Sequence, residues 1–225
     1  MIHGGGWASG TKDHQVPMAQ QLAAKGYVAA AVEYRLSPEA PYPAGANDLK
    51  EALRWLRSQA DQYGIDTSKI AVLGCSAGAQ LASLLGTAGQ IEYFEFPTDL
   101  PKYSTQVQAV VNVDGIVSFV HPEASAEGSA AGRWLGGSRT EAAAPWKEAF
   151  PLEYVDHHTP PFIFINSSMP RFHAGRDDFM NKLNTFGTYS EVHTLEGSPH
   201  SFWLVHPWFK PTFKYTYRFL DKILK

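Results

Sequence analysis

The chain has 225 residues, of which 44% are hydrophobic and 18% charged, so it can bury the core of a single domain. Its net charge of −3 offers no basic surface for nucleic acid, and no apolar run approaches the roughly 20 residues that span a bilayer. The lone cysteine, Cys75, excludes an intrachain disulfide and leaves the cellular compartment unconstrained.

The first motif in the chain is His3-Gly4-Gly5-Gly6-Trp7. Consecutive glycines leave backbone N–H groups uncovered, so the amides of Gly5 and Gly6 are candidate donors to a negatively charged oxygen. After this motif, the hydrophobic pattern predicts a helix over residues 15–25 and a buried strand over residues 27–34.

The second motif, Gly74-Cys75-Ser76-Ala77-Gly78, lies between a strand predicted over residues 70–73 and a helix predicted over residues 80–87. A strand, then G-x-S-x-G, then a helix is typical of a nucleophile elbow, a turn too sharp for bulky neighbours. The pattern predicts that Ser76 is a nucleophile and that the Ala77 amide joins the oxyanion donors. Cys75 is a weaker alternative nucleophile, because its position in such a turn faces sideways into the fold.

Helices and strands alternate through the rest of the chain. A helix capped by Asn47 or Asp48 is predicted before the elbow, over residues 47–63. Further strands are predicted over residues 107–113, 162–166 and 191–195, and further helices over residues 179–186 and 213–224. Such alternation predicts a parallel sheet covered on both faces. The least regular part, residues 119–161, is predicted to be a cap-like insertion.

A late histidine completes the set of motifs. His200 follows the last predicted strand, in Ser198-Pro199-His200-Ser201-Phe202-Trp203. A histidine there fits the chain order serine, acid, histidine. His200 is therefore the predicted general base and then general acid.

Together these motifs resemble the α/β-hydrolase superfamily, in particular the esterase/lipase group marked by HGGGW and its bacterial carbohydrate (acetyl) esterases. Further matching stretches are residues 33–38, 44–48, 53–56, 63–66 and 170–177. The resemblance implies one α/β-hydrolase domain over residues 1–225, a Ser-His-acid triad, an ester substrate, and neither cofactor nor metal. It implies a serine esterase that removes acetyl or related acyl or methyl esters from plant polysaccharides such as xylan or pectin. The alternatives are a generic short-chain or feruloyl esterase and a non-catalytic, hydrolase-like binding protein.

In this fold the oxyanion loop follows the third strand, whereas here only Met1 and Ile2 precede it. We therefore expect the N-terminal strands to be missing or truncated. A sheet without them exposes unpaired edge groups, which favours pairing with another chain. A homo-oligomer or a chain of reduced stability is predicted on this ground.

The acid of the triad is harder to place. The usual position, just after the strand at residues 162–166, corresponds to about Ser168 or Met169, and neither is acidic. Asp114, at the end of the strand over residues 107–113, is the favoured substitute, and Asp177 is the alternative. The choices left open beyond these are Glu123, Glu127, Asp178 or no acid at all.

Four side chains are predicted to contact the substrate. Trp7 and Trp203 are suited to stacking on sugar faces, and Arg171, with Arg176 as an alternative, to holding a carboxylate. His173 is grouped with them because it lies in the same stretch as Arg171. Simple packing of both tryptophans in the core is the competing interpretation.

Overall fold

The computed structural model describes residues 1–89 and 97–225, apart from the side chains of residues 125–127. Within these ranges a parallel sheet runs in the order β1-β2-β3-β4. Its strands are β1 (Ala71–Cys75), β2 (Ala109–Val113), β3 (Phe162–Ser167) and β4 (Ser190–Leu195). Every residue of β2 and β3 is buried, as expected of inner parallel strands with both faces covered.

The described helices cover both faces of this sheet. They are α1 (Val16–Ala23), α2 (Ala44–Ser58), α3 (Ala60–Tyr63), α4 (Ala77–Ala88), α5 (Gly128–Leu135), α6 (Ala143–Glu148), α7 (Arg176–Thr185) and α8 (Phe209–Leu224). Short 3-10 helices span Lys12–Gln15, Pro122–Glu127, Pro151–Tyr154, Pro170–His173 and Phe202–Leu204. In the described ranges, none of the helices has both the length and the apolarity required to cross a bilayer.

Alternate strand residues point into two separate core layers. Val110 and Phe162 pack in the layer that holds α2, α4 and α7, and their chain neighbours Val111 and Ile163 pack in the layer that holds α1 and α8. Because successive strand side chains face opposite sides of a sheet, one apolar run supplies both layers. The predicted parallel sheet with helices on both faces is confirmed.

The strand predicted over residues 27–34 is wrong. Only Val32 forms a bridge there, to Ile2, and Ile2 in turn bridges to Gly74. The Val32 amide donates to the Met1 carbonyl oxygen over 3.1 Å. The other residues of this segment join no ladder.

The prediction of a cap at Asn47 or Asp48 is also wrong. The helix α2 begins earlier, at Ala44 directly after Pro43. Asp48 is therefore inside the helix, and its carboxylate accepts hydrogen bonds from the Arg35 guanidinium at 2.7 Å and from the Arg35 amide at 2.8 Å. This pair ties the start of α2 to the segment before it.

Candidate active site

Ser76 lies on a strained turn between β1 and α4. Its backbone has φ 53° and ψ −122°, a region that non-glycine residues rarely occupy. A Cβ at Gly74 would lie 2.6 Å from the Ala79 amide nitrogen, and one at Gly78 would lie 2.5 Å from the His3 carbonyl oxygen. Both glycines of the elbow are therefore required by close backbone approach.

The glycine loop at the start of the chain packs directly against this elbow. A Cβ at Gly4 would lie 3.0 Å from the Cβ of Ser76. Gly5 has φ 128° and Gly6 has φ 60°, both conformations that favour glycine. Ala77 is the first residue of α4, where an amide has no acceptor inside its own helix. The predicted oxyanion donors thus belong to two segments that meet at Ser76.

Ser76, His200 and Asp114 form a continuous hydrogen-bonded chain. The Ser76 Oγ lies 2.8 Å from His200 Nε2, and His200 Nδ1 lies 2.7 Å from Asp114 Oδ2. A carboxylate can only accept, so it selects the tautomer with the proton on Nδ1 and leaves Nε2 free to accept from the serine.

The turn after β2 directs Asp114 into this position. Asp114 has φ 54°, and its amide donates to the Ile165 carbonyl oxygen on β3 at 2.9 Å. The Asn112 side-chain oxygen accepts from the Gly115 amide at 2.9 Å, which closes the turn. A Cβ at Gly115 would lie 2.8 Å from the Ser76 carbonyl oxygen, so glycine here lets the Asp114 turn approach the elbow.

Ser167, at the end of β3, holds the Asp114 carboxylate and was not anticipated from the sequence. The Asp114 side chain is 0% exposed. Its Oδ1 accepts from the Ser167 amide at 2.9 Å, and its Oδ2 accepts from the Ser167 hydroxyl at 2.7 Å. Ser167 stands next to the position where the pattern expects the acid, and that proximity was the one available signal.

The other candidate acids lie elsewhere. The Asp177 side chain is 78% exposed and pairs with the Arg176 guanidinium at 2.8 Å. That hydrogen bond holds the pKa of Asp177 below its usual value. Glu123 lies 3.4 Å from His121, and Asp178 is exposed on the first turn of α7. The Glu127 side chain lies outside the described residues.

Two aromatic rings fix the imidazole of His200. The Phe172 ring stacks on it with 3.4 Å between centroids and 9° between planes. Trp203 meets it edge-on at 5.2 Å and 87°. Trp203 is buried, so it packs against the histidine instead of offering a face to a sugar. Phe172 was missed because nothing in the sequence links it to a residue so much later in the chain.

The expectation that Trp7 contacts substrate is wrong. Its side chain is 3% exposed and stacks on Trp134 of α5 at 4.9 Å and 8°. The indole Nε1 donates to the Gln80 side-chain oxygen at 3.0 Å, and the Gln80 side-chain Nε2 donates to the Ala149 carbonyl oxygen at 2.8 Å. Trp7 therefore fastens the glycine loop to α4 and to the irregular segment.

Arg171 and His173 lie on the same short helix as Phe172. Arg171 is exposed, with its guanidinium 4.1 Å from the centre of the Phe172 ring. His173 is half-buried, and desolvation, with a smaller contribution from Arg176, lowers its pKa. The Arg171 side chain therefore covers the ring that contacts His200, and His173 follows that ring in the same short helix.

Cys75, the alternative nucleophile, is buried in the core layer that holds α1 and α8 and is 1% exposed. Its thiol lies 3.9 Å from the Gln15 side-chain oxygen. Burial raises the pKa of this thiol to about 12. Among the described residues, His, Cys, Asp and Glu side chains form no cluster of three or more that could bind a metal ion.

A family model named BD-FAE matches residues 1–171 of the sequence. The chain belongs to the BD-FAE family. This BD-FAE member is 34% identical over 175 residues to esterase LipC of Mycobacterium tuberculosis, an alignment that covers 74% of the chain and 42% of LipC. It spans less than half the length of the curated relatives it matches.

Solved structures show the fold of this BD-FAE member. The thermophilic esterase Est2 of Thermogutta terrifontis superposes with a TM-score of 0.80 at 24% identity, over 99% of this chain and 80% of Est2. The acetyl ester-xyloside bifunctional hydrolase of Caldicellulosiruptor lactoaceticus gives a TM-score of 0.81 at 24% identity, over 99% of this chain and 82% of that one. The predicted α/β-hydrolase fold and the predicted similarity to esterases are confirmed.

Proposed function

We propose that this chain hydrolyses carboxylic esters through an acyl-enzyme formed on Ser76. The observation that supports this proposal is the hydrogen-bonded chain from Ser76 Oγ to His200 Nε2 at 2.8 Å and from His200 Nδ1 to Asp114 Oδ2 at 2.7 Å. Nucleophilic catalysis of this kind uses a nucleophile that is hydrogen-bonded to a base, and a base that is hydrogen-bonded to an orienting acid.

In the first half-reaction the Ser76 Oγ attacks the ester carbonyl carbon while His200 Nε2 takes its proton. The carbonyl π electrons move to oxygen, and the amides of Gly5, Gly6 and Ala77 stabilise the resulting oxyanion. When this intermediate collapses, the bond to the alcohol oxygen breaks. The departing alcohol takes the proton from Nε2 and leaves the acyl group on Ser76.

The second half-reaction repeats these steps with water. His200 Nε2 takes a proton from the water as its oxygen attacks the acyl carbon, and the same amides stabilise the oxyanion. Collapse releases the carboxylic acid and returns the proton to Ser76 Oγ. Asp114 keeps its proton-free form throughout and stabilises the imidazolium that exists between these steps.

We propose acetyl or other short acyl esters on plant carbohydrates such as xylan or pectin as the substrate class. The name of the Caldicellulosiruptor lactoaceticus hydrolase supports an acetyl ester. The exposed Arg171 guanidinium over Phe172, the ring stacked on His200, supports a polar alcohol group. Sugar stacking on Trp7 or Trp203 no longer supports this choice, because both are buried.

A fluorophosphonate probe followed by peptide mass spectrometry tests the chemistry. We expect labelling of Ser76, loss of labelling in Ser76→Ala, and full labelling in Ser68→Ala, which alters an exposed serine before β1. Folded wild-type protein that stays unlabelled and does not hydrolyse p-nitrophenyl acetate would instead indicate a non-catalytic binding protein.

A substrate comparison tests the carbohydrate. We expect acetate release from acetylated xylan or acetylated pectin with a kcat/KM above that for p-nitrophenyl acetate. Hydrolysis of p-nitrophenyl acetate without release from either polysaccharide would identify a generic short-chain esterase. A clear preference for methyl ferulate would identify a feruloyl esterase.

A further inference from the structure

We infer that Ser167 is a positioning residue of this site, whose hydroxyl holds the Asp114 carboxylate in the plane that His200 requires. The inference rests on the proposed function. It is carried by one residue that contacts both carboxylate oxygens: the Ser167 amide donates to Oδ1 at 2.9 Å, and its hydroxyl donates to Oδ2 at 2.7 Å.

The two hydrogen bonds act as a clamp because they meet different oxygens of one rigid group. Rotation of the carboxylate about its Cβ–Cγ bond would break both together. The amide alone fixes Oδ1 but leaves Oδ2 with a single donor, His200 Nδ1 at 2.7 Å. With the Ser167 hydroxyl in place, both carboxylate oxygens have a donor that does not belong to the base.

The direction of the Ser167 proton is set by a further contact. The Met169 amide donates to Ser167 Oγ at 3.3 Å. With that lone pair occupied, the hydroxyl proton is left for the carboxylate. Met169 immediately precedes the short helix Pro170–His173, which carries the Phe172 ring stacked on His200. Ser167 therefore links the acid to the segment that holds the imidazole.

Ser167 positions the acid from a place that substrate cannot reach. It is 0% exposed, and its hydrogen bonds described above join it to the Asp114 carboxylate and the Met169 amide. Its loss should therefore lower kcat and leave KM unchanged. Hydrogen bonds to charged groups are strong enough for a loss of about tenfold in kcat.

The experiment measures kcat and KM for p-nitrophenyl acetate in Ser167→Ala, Ser167→Cys and Ser167→Thr, together with each melting temperature. Ser167→Cys keeps the side-chain size with a weak donor, and Ser167→Thr keeps the hydroxyl. Ser198→Ala is the matched control, because Ser198 is a buried serine two residues from His200 whose hydroxyl has no hydrogen-bond partner among the described residues.

We expect kcat to fall about tenfold in the alanine and cysteine variants at unchanged KM, with most of it restored by threonine. The control should match wild type. The inference is overturned if folded Ser167→Ala or Ser167→Cys retains kcat within about twofold, or if threonine restores nothing in a variant that melts like wild type. Failure of the proposed function is a different result, since wild-type protein would then be neither labelled at Ser76 nor active.

Discussion

Replacing Asp114 by asparagine should inactivate the site by fixing His200 in the wrong tautomer. The Ser167 amide, 2.9 Å from Oδ1, can only donate, so it selects the oxygen of the new amide at that position. The NH₂ group then occupies the Oδ2 position, 2.7 Å from His200 Nδ1. His200 Nδ1 must then accept a hydrogen bond from this NH₂ group, so the imidazole proton moves to Nε2. With Nε2 protonated, His200 can no longer take the proton of Ser76.

The expected loss is on the order of 10,000-fold in kcat, as in serine proteases altered in the same way. At about 1.4 kcal/mol per factor of ten, that is about 5.5 kcal/mol of lost transition-state stabilisation. Asparagine tolerates positive φ, and the φ of Asp114 is 54°, so the fold is retained.

Steady-state hydrolysis of p-nitrophenyl acetate and circular dichroism measure this directly. Asp177→Asn is the control, because that carboxylate is exposed and contacts Arg176; it should keep kcat within about twofold of wild type. A folded Asp114→Asn variant within about tenfold of wild type, or an equal loss in Asp177→Asn, would refute the reasoning.

Three further predictions concern the surroundings of the site. Gly74→Ala should lower the free energy of unfolding by about 3 kcal/mol or more in urea denaturation, because its Cβ would collide with backbone. A Cβ at Gly128 would have no described atom within 4 Å, so Gly128→Ala should stay within about 0.5 kcal/mol, and equal effects of the two changes would contradict this explanation. The Cys75 thiol, buried and with its pKa raised to about 12, should not react with Ellman's reagent at pH 8 until urea unfolds the protein; rapid reaction of the native state would show that the thiol is accessible. Gln80→Leu removes the acceptor of the Trp7 indole, so the free energy of unfolding should fall by about 2 kcal/mol, and an unchanged urea midpoint would show that this hydrogen bond contributes nothing.

The elbow was predictable because its sequence motif is local. Gly74 is required by contacts with the backbone of Gly78 and Ala79 in the same turn, whereas Gly78 is required by the carbonyl oxygens of Ile2 and His3. The spacing of small residues around Ser76 therefore records the geometry directly. The same holds for the parallel sheet, since the apolar runs that build β2 and β3 need no distant partner to be recognised.

The acid could not be settled from sequence because its position depends on neighbouring strands. Asp114 and Asp177 both follow a predicted strand, and nothing in the pattern says which carboxylate reaches His200. The pairing of β2 with β3 brings Ser167 beside Asp114, and Ser167 comes just before the position where the usual pattern has its acid. A serine at that position does not indicate a role in the sequence, because its role depends on the carboxylate that it bonds.

Aromatic residues were misjudged for a related reason. Trp7 belongs to a motif near the nucleophile, but the surface it meets is set by Trp134 and Gln80, which lie far along the chain. The segment at residues 27–34 has the composition of a buried strand, yet strand formation also requires a neighbour along its length, and here Ile2 supplies one bridge.

The backbone conformations of Ser76 and Asp114 create a conflict between thermal stability and catalysis. Each of these residues has φ above 50°, a conformation that costs roughly 1–3 kcal/mol for a residue with a side chain. Glycine would relieve that cost at either position, and it would also delete the reacting hydroxyl or the carboxylate that serves it. Selection for thermal stability alone would therefore favour inactive variants of this protein. A screen for more stable variants needs to select for ester hydrolysis at the same time.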